Sequence, residues 1–134
     1  MILVLDACAL IALLRREPGG EVVDSLLSEK NNTCIVHAVN LCEVYYDLVR
    51  RAGEGRAKEV INRLVMAGIF VREDMDTDFW QHAGNIKALH SRISLADCMC
   101  IALANRLGAG VWTCDHQEFE PVARKKLCAV TFIR

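Results

Sequence analysis

Two acidic residues follow apolar strand-like runs, and two more interrupt apolar helix-forming runs. Asp6 ends Ile2-Leu3-Val4-Leu5, and Asp115 follows Val111-Trp112-Thr113 with only Cys114 between. Glu43 sits within Leu41-Cys42-Glu43-Val44-Tyr45, and Asp97 within Ser94-Leu95-Ala96-Asp97-Cys98-Met99. A carboxylate half-submerged in an apolar helix face is unfavourable unless a cation or donor compensates it. No Lys or Arg stands four residues from Glu43 or Asp97 to do this locally. Convergence of the four acids on a shared cation resolves the problem, and all-oxygen ligation suits Mg²⁺ or Mn²⁺ rather than zinc. Plain structural readings exist for three of them. Asp6 caps a helix, Asp97 is a first-turn acid favoured by the helix dipole, and Asp115 forms a turn. Glu43 is the exception, since no cap explains it.

Such convergence needs strands that end at one edge. Residues 2–5 read as a strand buried on both faces, residues 7–16 as a short helix, and Pro18-Gly19-Gly20 as a break. A helix over 21–30, a strand over 33–36 and a helix over 37–51 follow, the last turning Val39, Cys42, Tyr45, Tyr46 and Val49 inward. Next come a helix over 56–66, a strand over 69–71 and a helix from the Asp76-Thr77-Asp78 cap to about His90. Ser94 caps a helix over 95–107, where Ala96, Ala102 and Ala104 permit close packing on a sheet. A strand over 111–113, a helix over 118–126 and a strand over 129–133 complete the chain. Strands alternate with helices, and the connections are too long for hairpins. The pattern predicts a single α/β domain over residues 1–134, three layers (α/β/α) with about five parallel strands at the centre. In such sheets ligands collect at the carboxyl ends of the strands.

The chain has 134 residues, 16 basic and 17 acidic, with 53% apolar side chains. That composition excludes disorder, and no apolar run approaches the roughly 18 residues of a membrane span. The opening apolar run has no basic residues before it and does not read as a signal peptide. Seven cysteines, Cys8, Cys34, Cys42, Cys98, Cys100, Cys114 and Cys128, lie mostly inside apolar segments without zinc-knuckle spacing. They read as small reduced core residues of a cytoplasmic protein.

Four segments together resemble the signature segments of PIN domains, most closely the small single-domain ribonucleases of VapC type. They are Asp6-Ala7-Cys8-Ala9, Asn40-Leu41-Cys42-Glu43-Val44, Ser94-Leu95-Ala96-Asp97, and Thr113-Cys114-Asp115 with Phe119. The resemblance covers the whole chain in order. It implies that Asp6, Glu43, Asp97 and Asp115 form an acidic catalytic pocket holding Mg²⁺ or Mn²⁺, supported by Ser94 and Thr113. Glu118, three residues beyond Asp115, matches a further acid of some relatives and equally reads as a first-turn helix acid. His37 departs from the pattern, since Ser or Thr commonly begins the second conserved helix. An RNA substrate, a small DNA-binding antitoxin and a homodimer are the partners the resemblance implies. The helices over 21–30 and 37–51 are the candidate dimer faces.

Phosphodiester hydrolysis with divalent ions needs acidic ligands on rigid elements rather than a Ser or Lys nucleophile, and Asp6 and Asp97 are the expected principal ligands, with Glu43 and Asp115 binding directly or through water. The absence of a G-x-S-x-G or phosphate-cradling glycine loop agrees. His116, His82 and His90 read as surface residues, and the Phe79-Trp80 pair as core or interface. Basic groups occur at Arg15-Arg16 and Arg124-Lys125-Lys126; Arg50, Arg51, Arg56 and Lys58 are the candidates for holding the RNA backbone. A haloacid-dehalogenase-type phosphatase would need an acid at position 8, which is Cys. A receiver domain would need a second acid beside Asp6, where Leu5 stands, and a Lys after a late strand. A catalytically weak PIN-like scaffold is the remaining alternative. With the four pocket acids set aside, the net charge of −1 becomes +3, so the near-neutral total does not oppose a nucleic-acid partner.

Overall fold

The computed structural model covers residues 1–134. Strand β1 (Ile2–Leu5) is the centre of a five-stranded, all-parallel sheet ordered β3-β2-β1-β4-β5. Leu3 and Leu5 point into one core and Val4 into the other, and all three are fully buried. This is the two-sided burial that a continuous apolar strand implies. Strands β2 (Thr33–His37), β3 (Phe70–Arg72), β4 (Gly110–Thr113) and β5 (Val130–Phe132) complete the sheet.

Helices α1 (Ala7–Arg15), α2 (Gly20–Ser28), α3 (Ala38–Ala52) and α4 (Glu54–Met66) form one layer, with Leu10, Val23, Val44 and Leu64 in its core. Helices α5 (Thr77–Leu89), α6 (Leu95–Leu107) and α7 (His116–Arg124) form the other, around Phe79, Ile101, Leu103 and Phe119. The result is the expected three-layer α/β/α sandwich. Every residue of α6 from Cys98 to Ala104 is buried, because it packs against the sheet, α3 and α5 at once. Its small Cys and Ala side chains let the backbones approach. At the α1–α2 junction a Cβ on Gly20 would lie 2.6 Å from the Ala12 carbonyl oxygen, so only glycine fits.

From β1 the chain winds to β2 and β3 on one side, then crosses back to β4 and β5 on the other. The order therefore reverses between β1 and β4, the point where open α/β sheets form a crevice at their carboxyl edge. Leu5 pairs with Trp112 there, so Asp6 emerges beside Thr113.

Two expectations are corrected. His37 is not the first residue of a helix: it ends β2 and caps α3 with its ring, Nδ1 accepting from the Val39 amide at 3.1 Å. The other ring nitrogen lies 2.9 Å from the Asp74 carbonyl oxygen, which can only accept, so the neutral ring carries its proton on Nε2. The imidazole replaces the missing Ser or Thr and stacks on Phe79 at 5.1 Å. Cys8 and Cys114 are not reduced core thiols: they form a disulfide, because the β1–β4 register brings their Cα atoms to 5.9 Å. The other five cysteines are free. No helix is long and apolar enough to cross a membrane.

Candidate active site

Three helix N-termini meet at the reversal point. Asp6 caps α1, its Oδ1 accepting from the Ala9 amide at 2.9 Å. Ser94 caps α6, its hydroxyl oxygen accepting from the Asp97 amide at 3.2 Å. Asp115 caps α7, its Oδ1 accepting from the Glu118 amide at 3.0 Å. The plain structural readings of these residues therefore hold, yet capping occupies only one oxygen of each Asp cap. Helix dipoles also favour negative charge at all three ends.

Thr113 joins the strands. Its hydroxyl donates to Asp6 Oδ2 at 2.5 Å and accepts from the Asp115 amide at 2.9 Å. The Ser94 hydroxyl likewise donates to Glu118 Oε2 at 3.3 Å. Each of these side chains thus orients an acid as well as a backbone turn.

Ligand atoms of Asp97, Asp115 and Glu118 lie within 4.8 Å of one another. Asp6 and Glu43 stand outside this triad but are close enough to repel it. Asp6 is 2% exposed, and burial raises its pKa to about 7 although the bonds from Thr113 and Ala9 pull the other way. Burial raises Asp97 well above the carboxylate range, reinforced by its hydrogen bond to Glu118 and by the charges of Glu118, Asp6 and Glu43. Burial and the nearby Glu118 also raise Glu43. Burial and mutual repulsion thus disfavour the charged forms of these acids, a cost that a bound cation would offset. A donor set of three carboxylates with further acids behind it fits a hard divalent ion such as Mg²⁺ or Mn²⁺.

Glu118, which the sequence reads equally as a first-turn helix acid, is one of the three converging acids. Its signal was its place in the first turn of α7, on the end that carries Asp115. Asn40 was in a signature segment without an assigned role. It is fully buried, and its Nδ2 donates to the Ala96 carbonyl at 3.2 Å, holding the turn that carries Asp97 against α3. Its Oδ1 is the one buried side-chain polar atom without a partner.

The cations Arg50, Arg51, Arg56 and Lys58 are not brought to the acids. Helix α3 starts at the carboxyl edge and runs away from it, so Arg51 lies about 12 Å further along the axis than Glu43. Arg51 pairs with Asp47, Arg56 with Glu59 and Lys58 with Glu54, while Arg50 lies over the Tyr46 ring. His116 is also turned away: Nδ1 contacts Glu120, Nε2 contacts the Arg134 carbonyl, and the ring stacks on Phe132. Phe79 is core, whereas Trp80 is exposed.

A doubly wound parallel sheet with clustered acids at its reversal point is the architecture of a PIN domain. The PIN domain profile matches residues 3–125, and the chain belongs to that family of nucleases. Solved structures with the same fold include VapBC2 from Rickettsia felis bound to a promoter DNA fragment, with 15% identity, TM-score 0.75 and 98% of each chain covered. VapBC-1 from nontypeable Haemophilus influenzae has 19% identity and TM-score 0.73, covering 99% of this chain and 98% of that one. VapC20 from Mycobacterium tuberculosis, described as a sarcin-ricin loop cleaving toxin, has 18% identity and TM-score 0.71, covering 89% and 94%. No curated protein matches the sequence.

Proposed function

We propose that the protein is a metal-dependent endoribonuclease, the toxin of a VapBC-type pair, acting in the cytoplasm as one domain over residues 1–134. The observation that carries this reading is the convergence of Asp97, Asp115 and Glu118, with Asp6 and Glu43 behind them, at the reversal point of a PIN-family sheet. Asp97, Asp115 and Glu118 would hold Mg²⁺ or Mn²⁺, with Asp6 and Glu43 contributing directly or through water. A divalent ion, when bound, supplies an acidified water and offsets charge on the phosphate. Asp6 and Asp115 are kept in place by Thr113, and Asp97 by Ser94 and Asn40. The acids stand on helices and at strand ends rather than on free loops, which fixes their spacing before substrate arrives.

A small DNA-binding antitoxin is the proposed partner, supported by the likeness to VapBC complexes. Homodimerisation through α2 and α3 is the proposed assembly. No observation favours the haloacid-dehalogenase reading: Cys8, at the position of its second acid, is tied to Cys114.

The test is cleavage of labelled RNA by purified protein with Mg²⁺, with Mn²⁺ and with chelator. Cleavage that requires the metal supports the reading, and hydrolysis of small phosphate esters alone supports a phosphatase. No hydrolysis of either would favour the scaffold. Asp97→Asn should abolish RNA cleavage, a loss of about a thousandfold or more, while the circular dichroism spectrum stays unchanged. Metal-dependent cleavage retained in that variant would remove Asp97 from the chemistry.

A further inference from the structure

A cleft of about 590 Å³ opens from Asp115 and Glu118 and runs along α7 to the loop between α5 and α6. Its volume lies within the roughly 300–1,000 Å³ of ligand-binding clefts. The start of α7 carries the carboxylates and its end carries Arg124 and Lys125, while Arg92 enters the lining from the loop between His90, which meets Lys125, and Ser94, which meets Glu118. None of these three cations belongs to any of the chain's ion pairs. Lys125 Nζ lies 3.4 Å from His90 Nδ1, a contact that links α7 to the α5–α6 loop. Leu89 and Leu127 add apolar wall, and Leu89 is 79% exposed.

Polarity along the cleft is thus fixed, with a cation-attracting end and an anion-attracting end. Arg51, Arg56 and Lys58 differ in both respects: they are neutralised by neighbouring carboxylates and lie away from the acids. A phosphate binding there would displace acids already in place, whereas Arg92, Arg124 and Lys125 have no anion to give up.

We propose that this cleft seats the nucleotide next to the scissile bond of single-stranded RNA. Arg92, Arg124 and Lys125 hold the neighbouring phosphate, and Leu89 and Leu127 lie against the unstacked base. The inference rests on the nuclease reading and names how that site grips its substrate. Single-stranded RNA fits because a base must leave its stack to reach a side wall, which duplexes resist.

Binding is measured in the cleavage-deficient Asp97→Asn protein by fluorescence anisotropy of a labelled single-stranded RNA dodecamer across a salt series. Combining Arg92→Gln, Arg124→Gln and Lys125→Gln should weaken binding about tenfold or more and flatten the salt slope by about 2, near 0.7 per lost cation. The matched control, Arg51→Gln, Arg56→Gln and Lys58→Gln, should change affinity less than about twofold. Unaltered binding in the first variant, equal losses in both, or no RNA binding by the parent protein would each overturn the proposal. Metal-dependent cleavage by the wild-type chain is scored separately. It can succeed while the cleft assignment fails, and the cleft can bind RNA in a chain that does not cleave it.

Discussion

Thr113 uses one oxygen for two tasks, donating to Asp6 and accepting from the Asp115 amide. Replacing it by Val keeps the shape of the side chain but leaves both partners unpaired in a buried place. Each orphaned group costs about 1–3 kcal/mol. Thr113→Val should therefore lower the unfolding free energy by about 2–4 kcal/mol in urea titration and reduce cleavage, because Asp6 loses its orienting bond. Thr113→Ser retains the hydroxyl and should recover most of both. A Val variant as stable as the wild type would show that the pair of bonds contributes nothing. Glu118 illustrates the same principle from the other side: its backbone serves a cap while its carboxylate joins Asp97 and Asp115.

At the scale of elements, the parallel register of β1 and β4 does most of the positioning. It places Asp6 beside Thr113, and it also brings Cys8 to Cys114. The disulfide closes a loop spanning 106 residues of sequence. Cross-links over such loops stabilise mainly by restricting the unfolded chain, and removing one costs about 2–5 kcal/mol. Reduction by a dithiol, or Cys8→Ala with Cys114→Ala, should lower the melting temperature accordingly. Specific cleavage activity should stay within a few-fold of wild type at temperatures where the variant is folded, since the strand register and Thr113 hold the acids without the bond. Equal melting temperatures in oxidising and reducing buffer would show that the bridge does not contribute. Helix α3 depends on a different device, the His37 ring, which caps the helix and packs on Phe79.

For the whole molecule, the buried acids and the ion-paired acids impose opposite pH dependences. Asp6 is raised to about 7 in the folded chain by burial, and Asp97 and Glu43 are raised too. Between the unfolded carboxylate pKa near 4 and these values the folded state binds more protons, so stability falls as pH rises. Asp6 alone contributes a loss of up to about 4 kcal/mol by pH 8. Asp74 behaves in the opposite sense, lowered to about 2 by Arg72 and Arg106, so its contribution is lost as pH falls from about 4 to 2. In chelator, the melting temperature should peak near pH 4–5 and decline toward pH 8. Added Mg²⁺ or Mn²⁺ should restore more stability at pH 8 than at pH 5, because it competes with protons for the same oxygens. A metal effect independent of pH would argue against binding at these acids.

The alternation of apolar runs and amphipathic helices determined the layered parallel fold, because burial on two faces leaves a strand no polar positions. Acids at strand ends and inside apolar helix faces were legible for the same reason, since each broke a pattern that burial otherwise enforces. Element ends were less so: His37 belongs to strand and cap, where helical periodicity alone had placed it inside α3. Which cysteines pair, which acids share a centre and which cations stay unpaired were settled only in three dimensions. Cys8 and Cys114 meet through the β1–β4 register, and Glu118 joins Asp97 through the convergence of α6 and α7. Arg92 and Lys125 face one cleft although Arg50 to Lys58 form the denser cluster in sequence. Local pattern reports how each segment is buried. It does not report which segments become neighbours, and proximity between distant segments decides charge pairing, cross-linking and the composition of a site.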